Sequence, residues 1–186
     1  VQAIGAILGR ELGAGGGSKV AFVRCGGGCD KAQQKFEYQG VQDCKAAQLV
    51  AGGSKLCAYG CLGLGSCVTA CKFGALEIAA NGLPLVKLEK CVACGACVEA
   101  CPRGIIELVE REAKIVVNCV SKDKPKATKD SCQVGCIKCK ICVKNCPAEA
   151  IVVEGGAAVI DQAKCTACGV CVEKCPTGAI AVRLAN

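Results

Sequence analysis

Cysteine carries whatever chemistry this sequence can do. There are 21 in 186 residues, and histidine is absent. The stretch SCQVGCIKCKICVKNCP, beginning at Ser131, holds five of them in fifteen residues: Cys132, Cys136, Cys139, Cys142 and Cys146. Cys-x2-Cys-x2-Cys wraps the backbone around one cubane iron–sulfur cluster, so that three sulfurs reach three iron corners. A fourth Cys three residues further on, followed by Pro, leads the chain away and ligates the other cluster of a pair.

The absence of histidine removes His-ligated haem, Rieske centres, His-containing zinc sites and His-based acid–base catalysis. Two rivals for the cysteines remain. A zinc ribbon uses two separated Cys-x2-Cys knuckles rather than three consecutive ligands with a fourth donated crosswise. A disulfide scaffold favours scattered spacings and a secreted context. Neither fits the runs seen here. Aromatic residues are too few (Phe 3, Tyr 2, Trp 0) to fill a large core, so metal centres must help hold the fold.

The formal charge is +7 with every Cys counted neutral. An oxidised [4Fe–4S] cluster with four thiolates carries about −2, so four of them offset the lysine excess and no nucleic-acid partner is implied. Apolar runs such as AILG or IVV fall far short of the roughly twenty residues of a membrane span. No signal peptide is visible, and reduced thiolate sites point to the cytoplasm. The sequence starts at Val1 and contains no Met, as expected of part of a longer chain.

The elements that must position these thiols come twice. CVACGACVEACP (Cys91, Cys94, Cys97, Cys101) and CTACGVCVEKCP (Cys165, Cys168, Cys171, Cys175) are near copies. Each follows a predicted hairpin, one turning at Asn81-Gly82 and the other at Gly155-Gly156, pairs suited to positive φ. Before the hairpins, CAYGCLGLGSCVTAC and CQVGCIKCKICVKNC share the spacing Cys-x3-Cys-x5-Cys-x3-Cys. Upstream of each lies a β-rich run ending in Cys, KVAFVRC at Cys25 and KIVVNC at Cys119. The connectors differ. DCKAAQLVAGG reads as a short helix capped by Asp43 and stopped at Gly52-Gly53, while SKDKPKATKD reads as a charged loop. GAGGGS before Lys19 reads as a flexible linker.

The crossed rule then assigns ligands. Cys91, Cys94 and Cys97 take Cys71, and their partner cluster takes Cys57, Cys61 and Cys67 with Cys101. In the second copy, Cys165, Cys168 and Cys171 take Cys146, and the partner takes Cys136, Cys139 and Cys142 with Cys175. Five cysteines are left: Cys25, Cys29, Cys44, Cys119 and Cys132. Either four of them hold a fifth cluster joining the two copies, or they are buried free thiols. Leu64 stands where the second copy has Cys139, so Cys57 is expected as a third ligand in the first copy and Cys132 as the surplus thiol of the second.

The expected fold is α+β: two tandem two-cluster, bacterial 2[4Fe–4S] ferredoxin-like modules with short hairpins and helices, plus a Cys-containing N-terminal segment. The expected boundaries are 1–54 for that segment, 55–112 for the first module, 113–131 for a connecting strand and basic loop, and 132–186 for the second module. Lys122, Lys124, Lys126 and Lys129 read as a solvated face, with docking of an acidic redox partner as the alternative.

With these motifs in place, the sequence resembles the B subunit of Rnf-type electron-transport complexes, in the form with extra ferredoxin modules. The resemblance rests on CAYGCLGLGSCVTACKFGA, CVACGACVEACPRGIIEL, VNCVSKDK and CQVGCIKCKICVKNCPAEAI. It implies an electron-carrying subunit of an ion-translocating ferredoxin:NAD oxidoreductase, on the cytoplasmic side of the cell membrane. Electrons would arrive from reduced ferredoxin and leave to membrane and flavin subunits that reduce NAD and move Na⁺ or H⁺. That family usually begins with a membrane anchor and a further four-cysteine motif, neither of which is seen here. The alternative is a soluble polyferredoxin serving a hydrogenase or another oxidoreductase. A metal-storage protein with no redox partner is a third reading. No residue is expected to be catalytic.

Overall fold

The computed structural model describes residues 19–183. The GAGGGS stretch lies outside the described residues. Each half is built from one antiparallel two-stranded ribbon and one short hairpin. In the first half β1 (Lys19–Val23) pairs with β4 (Ile106–Glu110), placing Val20 opposite Val109 and Val23 opposite Ile106. The hairpin is β2 (Leu76–Ile78) with β3 (Pro84–Val86). In the second half β5 (Ile115–Val117) pairs with β8 (Ile180–Val182), and β6 (Ile151–Val152) pairs with β7 (Val159–Ile160).

Strands from within the expected 1–54 and 113–131 segments thus pair with strands that follow the cysteine motifs. β1 completes the first half and β5 the second. The reason is hydrophobic: KVAFV and IVV are β-branched or apolar runs whose buried faces need a partner strand, and the strand after each CP turn supplies it. Both predicted hairpins form, with Gly82 at φ +76° and Gly155 at φ +64°. Asn81 adds a local bond, its side-chain oxygen accepting from Leu83 N–H at 3.1 Å.

Six short helices complete the described chain: α1 (Cys44–Leu49), α2 (Ser66–Thr69), α3 (Ala96–Ala100), α4 (Pro125–Ser131), α5 (Ile141–Lys144) and α6 (Val170–Glu173). α1 has its expected cap, Asp43. α4 corrects the reading of SKDKPKATKD as a loop. Pro125 opens the helix, where its missing N–H costs nothing. Thr128 and Ser131, three residues apart, turn inward, while Lys124, Lys126 and Lys129 stay in solvent. The Ser121 and Thr128 hydroxyls share a buried hydrogen bond of 3.3 Å, and Ser131 Oγ donates to Thr128 O at 3.1 Å.

The cores mix aliphatic side chains with thiols. One joins Val20, Ala21, Leu76, Ile105 and Ile106 to Cys61, Cys67, Cys91 and Cys97; the other joins Ile115, Val117, Ile151 and Ile180 to Cys136, Cys142 and Cys171. Ile105 is only 2% exposed. Its replacement by Ala should cost about 2–5 kcal/mol, the usual penalty for emptying a packed aliphatic site. The measurement is the denaturant midpoint of the cluster-loaded chain, which should fall without loss of bound iron in the folded state.

Candidate metal centres

Three of the predicted thiol sets are brought together. Cys97 lies among Cys91, Cys94 and Cys71. Cys171 lies among Cys165, Cys168 and Cys146. Cys142 lies among Cys136, Cys139 and Cys175. In each, the last thiol of the triplet sits on a short helix entered through a left-handed residue: Gly95 (φ +83°), Gly169 (φ +82°) and Lys140 (φ +58°). A second left-handed residue precedes the middle thiol, at Ala93, Ala167 and Lys138. These two reversals curl the backbone around a point, and glycine lowers the cost of the second.

The fourth set differs from the expected one. The cavity between α2, α3 and α1 is lined by Cys44, Cys61, Cys67 and Cys101, not by Cys57. Gly63 (φ +77°) and Gly65 (φ +79°) preserve the double reversal, but Leu64 offers no thiol there. Cys44, the first residue of α1, fills the gap. Its placement is fixed by a polar clamp: Asp43 accepts from Ala46 N–H and from the Ser66 hydroxyl, both at 2.8 Å, and Ser66 Oγ accepts from Cys44 N–H at 2.7 Å. Those bonds hold Asp43 below the usual carboxylate range, the Ala46 N–H being the largest cause.

Cys57 is instead in a second cavity with Cys25, Cys119 and Cys132. That cavity lies between the halves, and backbone bonds lace it shut: Gly26 N–H to Asn118 O at 2.9 Å, Gln33 N–H to Ser131 O at 3.0 Å and Leu56 N–H to Gln33 O at 2.9 Å. Gly27 is required for space, since a Cβ there would stand 2.9 Å from Cys132 Sγ. The set is built symmetrically. Cys25 and Cys119 end equivalent strands, and Cys57 and Cys132 open equivalent Cys-x3-Cys pairs. The repeat thus carries a signal for Cys57: it goes where its counterpart Cys132 goes. Cys44 has only its place beside a cap residue. Cys29 is exposed and lines neither cavity.

Backbone N–H groups point at several sulfurs. Ala21 donates to Cys91 at 3.3 Å, and Ala75 to Cys71, Ala150 to Cys146 and Ala158 to Cys136, each at 3.4 Å. Cys61 N–H donates to Cys25 at 3.4 Å, and the equivalent Cys136 N–H supports Cys119. Such bonds favour the thiolate, the form that binds iron. Burial opposes them. It pushes the Cys61 and Cys142 thiols up to about 11 and Cys67 to about 12, with neighbouring thiols adding to the rise. Cys175 goes the other way, because N–H groups of Ile180, Thr177 and Ala179 and the Thr177 hydroxyl outweigh its burial.

Among the described residues, no three His, Cys, Asp or Glu side chains close on a single-ion site. Cubane ligands bind separate irons, so they ring a cavity instead of meeting at a point. Cavities ringed by four thiols, with N–H groups on the sulfurs, fit that group. Arg103 Nε, buried beside the Cys44 cavity without a hydrogen-bond partner, also fits, since inorganic sulfide would accept from it.

Family models match at two places: a 4Fe-4S dicluster domain over residues 135–180 and a 4Fe-4S binding domain over residues 84–107. Three characterised proteins align over most of the chain. The B subunit of the proton-translocating ferredoxin:NAD(+) oxidoreductase complex of Clostridium ljungdahlii is 51% identical over 145 residues, 78% of this chain and 51% of that protein. The B subunit of the ion-translocating oxidoreductase complex of Methanosarcina acetivorans is 49% identical over 161 residues, 87% of this chain and 61% of that protein. The chain is a homologue of these B subunits. A third, from the Na(+)-translocating ferredoxin:NAD(+) oxidoreductase complex of Acetobacterium woodii, is 46% identical over 162 residues, 87% of this chain and 48% of that protein. The B-subunit homologue spans about half to three fifths of the length of these relatives. Among its described residues, no helix is long and apolar enough to cross a membrane.

The raised thiols have a direct consequence for the metal-free chain. A thiol whose folded pKa is raised contributes stability below its unfolded value, and loses it as pH climbs through the folded value. Unfolding free energy of the metal-free, reduced chain should therefore fall from about pH 9 to about pH 12 as Cys61, Cys67 and Cys142 are forced to ionise. Denaturant titrations at steps across that window check it. A flat or rising profile would show that burial does not govern these thiols.

Proposed function

We propose that this chain is an electron-conducting subunit of an ion-translocating ferredoxin:NAD oxidoreductase complex, holding five [4Fe–4S] clusters at the cytoplasmic side of the membrane. The observation that carries the reading is the grouping of 20 of the 21 cysteines into five adjoining sets of four. When bound, the clusters supply one-electron oxidation and reduction.

The residues of this chain hold, shield and order those centres. Cys71 lies just beyond α2 and its Cys67, and Cys101 lies just beyond α3 and its Cys97, so each helix supplies thiols to two neighbouring sets. Cys146 and Cys175 do the same after α5 and α6. This is the crossed ligation of a two-cluster ferredoxin module, present once in each half. The central set of Cys25, Cys57, Cys119 and Cys132 links the modules: Cys25 takes the Cys61 N–H from one side, and Cys119 takes the Cys136 N–H from the other. Cys94, Cys139 and Cys168 are exposed and give a donor and an acceptor edges to approach. The donor is reduced ferredoxin, and the acceptors are membrane and flavin subunits of the complex.

Analysis of iron and acid-labile sulfide tests this directly. The loaded chain should hold about twenty irons, and Cys132→Ser or Cys57→Ser should reduce that to about sixteen. Cys44→Ser should remove a different set of about four, while Cys29→Ser should leave the content unchanged. A full complement in both Cys57→Ser and Cys132→Ser would sink the central centre. Failure of reduced ferredoxin to bleach the visible absorption of the loaded chain would sink the relay.

A further inference from the structure

Two cations are fixed where the central cavity adjoins the Cys44 cavity. Lys55 is 4% exposed, and its ammonium donates to the carbonyl of Gly27, the residue that packs on Cys132. Its aliphatic stem lies over Gly60, between Cys57 and Cys61. From there its charge acts on both Cys61 and Cys132. Arg103 lines the adjoining cavity, is held through Gly52 O at 2.5 Å, and keeps its buried Nε without a protein partner. Its charge is felt by Cys57, Cys101, Cys61 and Cys25, thiols of both sets. A guanidinium is not discharged in proteins.

The second half has no match for this pair. Asp130, exposed, stands where Lys55 does, two residues before the Cys-x3-Cys, and Thr177 stands where Arg103 does. Around Cys97, Cys142 and Cys171 the leading influences are burial, other thiols and backbone N–H groups. Arg24 also borders the central cavity, but Glu107 pairs with it at 3.3 Å.

We propose that Lys55 and Arg103 raise the reduction potentials of the central cluster and of the adjoining Cys44 cluster, making them the first of the series to be reduced. The inference rests on the five-cluster reading. Reduction brings one electron from a low-potential donor, ferredoxin in the complex or dithionite in the assay, which loses that electron. No bond forms or breaks. The added negative charge is stabilised by a nearby fixed cation in a low-dielectric site, more than the oxidised form is. Both residues are positioning residues, and their readout is a potential.

Potentiometric titration of the loaded chain, followed by electron paramagnetic resonance, tests this. In Lys55→Gln and in Arg103→Gln, the earliest-reduced signals should shift down by about tenfold or more in the reduction equilibrium, about 59 mV for a one-electron couple, with the later signals unmoved. Lys55→Gln removes the charge and leaves a shorter N–H donor, so the charge-keeping Lys55→Arg separates the loss of charge from the loss of the bond to Gly27 O. Lys55→Arg should hold the wild-type potential within about tenfold in the same equilibrium. Unmoved midpoints in both Gln variants at wild-type iron content overturn the proposal. So does a Lys55→Gln chain that loses about four irons unless Lys55→Arg restores iron and potential together. Wild-type iron of about sixteen, unchanged by Cys132→Ser, would instead mean that the five-cluster reading has failed, and Arg103→Gln would still report on the Cys44 set.

Discussion

Four thiols around one cavity are costly to bury, and much of this fold follows from that. Each thiol loses hydration, each thiolate repels the next, and the result is the rise to about 11 or 12 at Cys61, Cys67 and Cys142. Iron reverses both costs, because a coordinated thiolate is deprotonated outright and its charge is shared with the metal. The protein's own contribution is geometric. Left-handed residues curl the backbone around the thiols, Gly74 and Glu149 turning the next N–H onto a sulfur, and short helices only a turn or so long aim successive thiols at different cavities. Longer helices or strands would carry the thiols past the centres they must reach.

Repetition solves the problem of joining two such units. Each half has a strand ending in Cys and a Cys-x3-Cys that opens the first motif of its half. When the halves pack, these four thiols meet at one cavity related by an approximate exchange of halves. The contact between the halves thus uses the same thiol chemistry as the modules, beside a cleft where Phe22 and Leu108 face Val117 and Val159. The exchange is broken where the first copy has Leu64 in place of a thiol, and α1 repairs it with Cys44. Asp43 serves there both as helix cap and as the anchor that turns Cys44 toward Cys67 through Ser66.

Much of this is legible in the sequence for a plain reason. Ferredoxin-type spacings are local, and local geometry fixes which of three thiols share a centre. The hairpins at Asn81-Gly82 and Gly155-Gly156 and the cap at Asp43 are equally local. What escapes is non-local. Cys44 joins Cys61 from a separate helix upstream, and no spacing rule specifies that approach. Counting the ligands that its own motif lacks misplaces Cys57, whereas the repeat pairs it with Cys132. The helix at α4 is hidden by its lysines and its proline, although Pro at a first turn is a helix-start signal in its own right.

The order of the sets also has a shape. β1 runs from Ala21, bonded to Cys91, to Cys25 at the central cavity. β5 runs from Ile115, whose carbonyl accepts from Gln162 just before Cys165, to Cys119 at the same cavity. The turn between β4 and β5 joins the two far ends. Arg111 donates there to Leu88 O at 2.8 Å and to Cys91 O at 3.2 Å, and it borders a cleft shared with Cys165. The Cys91 and Cys165 thiols therefore flank one turn, and the central cavity lies at the other ends of β1 and β5. Donor and acceptor would approach neighbouring faces of the molecule. On the proposed relay, an electron would take either the path through the central cavity or the gap across the cleft. On that proposal Lys55 and Arg103 bear on the choice, because a centre that is easier to reduce beside the central cavity draws the electron along the longer path.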